Sequence, residues 1–275
     1  MSFYIYVLAI RTKHMVCGVI GMNETLKTIY NLRSVHGDFS SKEVTPDDLN
    51  AILNACIRAA NASARQSYSI IVVEDRSVIK EFLGYDGDKA LIFCVDYNRI
   101  VNTARHLNHS YQVEGMIAFI TGSVDATLAA QTAAIAAKSL GIDSLFTNSI
   151  HRGDMRRIYK QFELPQKHCF PLIALILGYS ATEPKHLKGR LKKGVIHYNR
   201  YHSLTDEELE NIVQEYDDPQ KHLGSIDNWK ERGFTHYLEW FYSVWSKRGA
   251  NVLPERLDQF YEILKRADFL ETLGK

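Results

Sequence analysis

The chain has 275 residues, 45% of them hydrophobic and 24% charged, with a formal net charge of +1 at pH 7. That length supports one large domain or two small ones with ample core, and the composition is that of a soluble globular protein. So balanced a charge gives no global reason to expect nucleic acid or an acidic surface as a partner, so any anion site must be local.

Residues 1–21 differ in character from the rest of the chain. Met1–Ile10 is apolar but lacks a leading basic region and is too short to span a bilayer, so stable membrane insertion is not expected. Three readings stay open for it: a natural start at Met22, an extra strand, or a weak membrane anchor. Asn23 makes an N-cap for a short helix over 24–32, which ends at the Arg33-Ser34 corner. Thr45 and Pro46 then open a helix to about Ala60, with Leu49, Ile52, Leu53, Cys56 and Ile57 on one stripe. Asn61–Ser67 is a polar loop. Tyr68–Val73 comes next as a strand whose unbroken apolar run predicts burial on both faces.

A short helix over 75–82, a Gly-rich turn and a buried strand, Ala90–Asp96, succeed it. The segment 97–122 is ambiguous, with Ile117–Thr121 open between strand and helix. Asp125–Leu140 is a long helix with seven alanines in sixteen positions, closed by Gly141. So little polar surface predicts burial, in the core or between subunits. Residues 144–150 form a strand or loop, 154–162 a charged helix, and 170–177 a third buried strand. The tail carries a basic run, Lys185–Lys193, an acidic helix over 207–216 capped by Thr205 with a Glu208 capping box, an aromatic-rich stretch over 229–245, and an amphipathic helix over 254–273.

Two local features suit a phosphate: the Arg33-Ser34 corner and Lys188-Gly189-Arg190, where glycine allows close backbone approach. Each alone is weak, since a basic run after a strand is more often a solvated loop. No dinucleotide glycine fingerprint, phosphate-binding P-loop, nucleophile elbow, HExxH or Cys/His cluster is present. Four scattered cysteines, Cys17, Cys56, Cys94 and Cys169, read as buried thiols of a reducing, cytoplasmic compartment.

The order of these motifs resembles the FMN-dependent nitroreductase superfamily over roughly residues 22–201. Leu32-Arg33-Ser34-Val35-His36 with Phe39 is similar to its R-R-S-x-R corner. Ala62–Tyr68 is similar to its flavin loop, and Asp125 through Leu140-Gly141 to its central helix. Leu164-Pro165, Pro171–Leu177, Gly178-Tyr179 and Lys188-Gly189-Arg190 are similar to its later motifs. Leu32 stands where the family has a second arginine. His36, or Gly37 if no gap is allowed, stands where an Arg or Lys usually meets the flavin. Arg65-Gln66 replaces part of the family loop.

The resemblance implies an α+β, three-layer fold with a central mixed or antiparallel sheet flanked by helices, and a helical C-terminal extension over 202–275. It implies a homodimer with FMN at the subunit interface, the Ala-rich helix lying between subunits. FMN would be held by Arg33, Ser34, His36, Arg65, Gln66, Lys188 and Arg190, with backbone amides of Asn148, Ser149 and Ile150 facing its N5 and O4. The implied chemistry is hydride transfer from NAD(P)H through FMN to a small-molecule acceptor such as a nitroaromatic or quinone. Such chemistry needs little side-chain acid–base catalysis. Alternatives within the resemblance are a flavin storage or sensor protein and a dehalogenase- or dehydrogenase-like member. The C-terminal aromatics are either a lid, a wrap around the partner, or core packing of an appended subdomain.

Overall fold

Among the described residues, runs of β-branched and apolar residues form four strands: β1 (Tyr68–Val73), β2 (Lys89–Asp96), β3 (Asp143–Thr147) and β4 (Cys169–Gly178). The computed structural model describes residues 22–246 and 254–270, so the segment 1–21, Cys17 and the last turn of the expected terminal helix lie outside it. The strands make one sheet in the order β1-β2-β4-β3, with every neighbouring pair antiparallel. β2 and β4 are central, and Ala90 through Val95 are fully buried. β1 is an edge strand with Val72 38% exposed, which corrects the expectation of burial on both faces. An apolar run this short cannot by itself tell an edge from a centre. Pro171 has no N–H to give to the ladder, and the β2–β4 register shifts opposite it, between Phe93 and Cys94.

Helices α1 (Glu24–Tyr30), α2 (Pro46–Cys56), α3 (Arg76–Leu83), α4 (Asn98–His106), α5 (Gly115–Ser139) and α6 (Met155–Gln161) connect and cover the strands. Thr45 caps α2 by accepting the Asp48 N–H at 3.1 Å, with Pro46 at the first position as its sequence requires. On one face of the sheet Leu91, Phe93, Leu175 and Leu177 pack with α2 and α5. On the other, Ala90, Ile92, Cys94 and Ile176 pack with Ile79, Leu83, Met155 and Ile158. This alternation along β2 and β4 is the period-two pattern that makes the three layers.

The ambiguous stretch around Ile117 is helical: α5 begins at Gly115, ten residues before the expected start. Ala126, Ala129, Ala130, Ala133, Ala134 and Ala137 are buried against the protomer's own sheet and α2. The alanine stripe therefore brings α5 close to its own core, and that corrects the idea that it forms the surface offered to a partner. The outward face carries Ile117, Ile120, Val124 and Leu128 instead, 42–66% exposed.

Beyond the basic run lie α7 (Asp206–Asp217), α8 (Tyr237–Trp245) and α9 (Pro254–Arg266). Thr205 and Glu208 form the expected capping box. Trp229, Tyr237 and Trp240 make a satellite core, whereas Ile263, Ala267 and Phe269 return to the main one. Among the described residues no helix is long and apolar enough to cross a membrane.

Candidate flavin site

The Arg33-Ser34 corner follows α1 and is stitched to the start of β3, where the Val35 N–H donates to the Ser144 carbonyl at 3.1 Å. Arg33 forks onto Asp143, with Nε 2.9 Å from Oδ1 and Nη2 2.6 Å from Oδ2. Its Nη1 reaches Glu183 at 3.0 Å, and Lys138 Nζ also reaches Asp143 Oδ1 at 2.9 Å. Burial on its own would push the Asp143 carboxyl up, but the hydrogen bonds from Arg33 and Lys138 hold it below the usual range. The Arg33 guanidinium is raised, first by its hydrogen bond to Asp143. Arg33, expected on the flavin phosphate, thus has its donors on two carboxylates of its own chain. Ser34 keeps an exposed hydroxyl with no hydrogen-bond partner among the described residues.

Beside this corner opens a cavity of about 460 Å³ lined by Arg33, Lys138 and Glu183 together with Lys185, His186 and Leu187. The fold therefore joins the corner to the first half of the basic run, which in sequence lies far away. Lys188 and Arg190 are not on its wall. Lys188 Nζ donates to the Gly224 carbonyl at 2.6 Å, and Arg190 Nη1 to the carbonyls of Lys188 and Gly189 at 3.2 and 2.8 Å.

The polar loop 61–67 runs between α2 and β1 in an unusual conformation. Ser63, Ala64 and Gln66 have φ of 54°, 55° and 50°. Each such non-glycine residue costs about 1 kcal/mol, so the loop needs fixed partners. Asp125, 1% exposed on α5, accepts the N–H groups of Ala62 at 2.8 Å and Ser67 at 3.1 Å. Asn61 Oδ1 accepts the Gln66 N–H at 3.1 Å, and Arg99 Nη2 donates to the carbonyls of Arg65 and Gln66 at 2.8 and 2.6 Å. Gly122 makes room, since a Cβ there would lie 3.0 Å from the Ser67 carbonyl oxygen.

Within this loop Arg65 Nη1 donates to the Tyr111 hydroxyl at 3.1 Å, beside the Tyr97–Tyr111 ring stack. The Arg65 guanidinium is raised, chiefly by that hydrogen bond. Gln66 Nε2 reaches the Ile57 carbonyl only at 3.5 Å. Local sequence does not single out Asp125, Arg99 or Tyr111 as supports of this loop. An acid on the buried stripe of an alanine helix is the one visible signal for Asp125.

The turn after β3 holds the remaining candidates. Ile150 is buried, Asn148 is exposed, and the Ser149 N–H donates to Thr147 Oγ1 at 3.1 Å. Ser149 Oγ donates to the Leu83 carbonyl at 2.5 Å, at the end of α3. His36 is exposed and meets Tyr85, two residues beyond α3, edge-on at 6.2 Å. The C-terminal end of α3 so becomes the common neighbour of His36 and the 148–150 turn.

The family model described as the nitroreductase family matches residues 29–179, which contain every element of this arrangement except Glu183 and the basic run. The chain belongs to the nitroreductase family. It is similar to the FMN reductase [NAD(P)H] of Bacillus subtilis (strain 168), 29% identical over 222 residues, 76% of this chain and 87% of that one. It is similar to an NADPH-dependent oxidoreductase of Staphylococcus saprophyticus, 28% identical over 261 residues, 90% of this chain and 96% of that one. That match reaches well into the C-terminal segment, so this relative shares that part of the chain. Among solved structures, the NADPH:FMN oxidoreductase from Vibrio harveyi complexed with NAD+ superposes with a TM-score of 0.69 at 21% identity, covering 88% of this chain and 98% of that one.

The donors of this chain fit a phosphorylated flavin in part. Ser34, His36 and Asn148 are exposed, and Lys185, Lys188 and Arg190 supply positive charge on the basic run. An ammonium has three donors, so Lys188 keeps two beyond its bond to Gly224. The guanidinium of Arg33 does not fit as a free phosphate fork.

Proposed function

We propose that this chain is an FMN-dependent oxidoreductase that draws hydride from NAD(P)H and delivers it to an electron-poor small molecule such as a nitroaromatic or quinone. The observation that carries the reading is the family match over 29–179, which spans the corner, the flavin loop, α5 and the sheet. Bound FMN supplies the hydride chemistry between coenzyme and acceptor. The chain's own part is to bind and orient. Lys188, Arg190 and the Ser34 hydroxyl meet the phosphate end. Arg65, Gln66, His36 and the 148–150 turn stand around the ring. His36 stands where the resemblance places an Arg or Lys, and its imidazole lacks the forked donors of a guanidinium.

Lys188→Ala and Arg190→Ala are each expected to weaken FMN retention about tenfold or more, since a hydrogen bond to a charged group contributes about 1.5–3 kcal/mol. Flavin fluorescence on dilution measures this, and unchanged retention in both variants would remove 188–190 from the phosphate site.

The active form is a homodimer with FMN between subunits. Its support is the outer face of α5, where Ile117, Ile120, Val124 and Leu128 repeat at helical spacing, joined by exposed Leu26, Ile29 and Tyr30 of α1. Large apolar side chains repeated along one exposed helix face make a poor solvent surface. Val124→Glu is expected to shift sedimentation to the monomer and release flavin with it. A dimer that survives this substitution places the interface elsewhere. Cys56, Cys94 and Cys169 are free and buried, which suits a reducing compartment such as the cytoplasm.

A further inference from the structure

The C-terminal segment grips the basic run through its backbone. The Gly189 N–H donates to the His222 carbonyl at 3.0 Å, and Lys188 Nζ to the Gly224 carbonyl at 2.6 Å. The imidazoles of His186 and His222 stack with centroids 3.5 Å apart and planes within 11°. A Cβ on Gly189 would lie 2.0 Å from the Lys221 carbonyl oxygen, so only glycine allows this approach. What Gly189 admits closely is therefore the turn 221–224.

That turn is itself anchored. The Tyr237 hydroxyl accepts the Ser225 N–H at 2.9 Å, and a Cβ on Gly224 would sit 2.8 Å from the Tyr237 ring. Tyr237 is 3% exposed, stacks on Tyr216 with planes 4° apart, and gives its own N–H to Asp217 at 2.8 Å. A rigid path runs from the aromatic core of α8 through 221–225 to Lys188-Gly189-Arg190.

We propose that the turn 221–225, anchored by Tyr237, is a positioning element of the flavin-phosphate site that fixes the backbone of Lys188-Gly189-Arg190. This rests on the reading of 188–190 as the phosphate segment. The aromatic C-terminal region then acts on the cofactor through its phosphate end. Tyr237 and Gly189 act through the residues they hold, Lys188 and Arg190.

The test uses full-length protein loaded with FMN or with riboflavin, which shares the ring and lacks the phosphate, and reads the ratio of the two dissociation constants. Tyr237→Phe deletes one hydrogen-bonding hydroxyl and is expected to cut the preference for FMN about fivefold. Gly189→Ala, which leaves the aromatic core intact and serves if Tyr237→Phe fails to fold, is expected to cut it further. Riboflavin affinity should stay constant in both. If both flavins weaken equally, or if neither variant changes the ratio, the positioning role is overturned. Lys188→Ala and Arg190→Ala separate the two ideas. A ratio that falls in these but not in the Gly189 and Tyr237 variants rejects the positioning role alone, and a ratio unchanged in all four rejects the phosphate reading beneath it.

Discussion

Arg33→Ala is expected to lower the stability of the fold by about 3 kcal/mol, because it leaves a buried carboxylate without its fork. Asp143 is 6% exposed and accepts two hydrogen bonds from that guanidinium. Lys138 remains on Asp143 Oδ1, which keeps the loss at the lower end of what breaking a buried pair costs. Arg33→Lys keeps the charge and loses the fork, so an intermediate loss is expected. Thermal or chemical denaturation measures both.

The pH dependence has a definite sign. The folded-state pKa of Asp143 is depressed, so its contribution is present above the ordinary carboxylate pKa of about 4 and is lost as pH falls through the folded value. The gap between wild type and Arg33→Ala should therefore narrow in acid. If Arg33→Ala instead melts like wild type and loses only FMN, Arg33 belongs to the phosphate and its pairing with Asp143 is incidental.

Asp125→Ala should destabilise the protein by a similar amount, about 3 kcal/mol, by a different route. It strands two loop N–H groups, each costing roughly 1–3 kcal/mol when left without a partner. The loop then loses the acceptor that holds Ser63, Ala64 and Gln66 in the left-handed region. Arg65 and Gln66 ride on that loop, so faster flavin release should accompany the loss. Asp125→Asn retains one acceptor oxygen and should fall between the two. Amide hydrogen exchange at Ala62 and Ser67 is the local readout. Unchanged protection there would mean that Asn61 and Arg99 suffice to hold the loop.

Much of the architecture is legible in the order of residues. The Thr45-Pro46 start of α2, the Thr205 capping box and the central strands β2 and β4 arise from local chemistry that distant contacts do not override. Three features are not legible, for physical reasons. The Arg33–Asp143 pair joins residues 110 positions apart, and nothing near either one names the other. The loop 61–67 takes positive φ at serine, alanine and glutamine, whose types give no warning of it. The alanine stripe of α5 signals that something packs closely there, yet a protomer's own sheet and a partner subunit leave the same mark. Gly189 likewise signals close approach without saying by what, and the answer is the backbone of Lys221.

The central claim is that the site passes hydride from NAD(P)H to a flavin held by this chain. Anaerobic titration of the FMN-loaded protein with NADH and with NADPH tests it most directly. Bleaching of the flavin absorbance at one equivalent of at least one nicotinamide, with recovery on adding a quinone or nitroaromatic, is the expected result. A yellow protein that neither coenzyme bleaches would be a flavin store or sensor, and a chain that takes up no FMN would contradict the account outright.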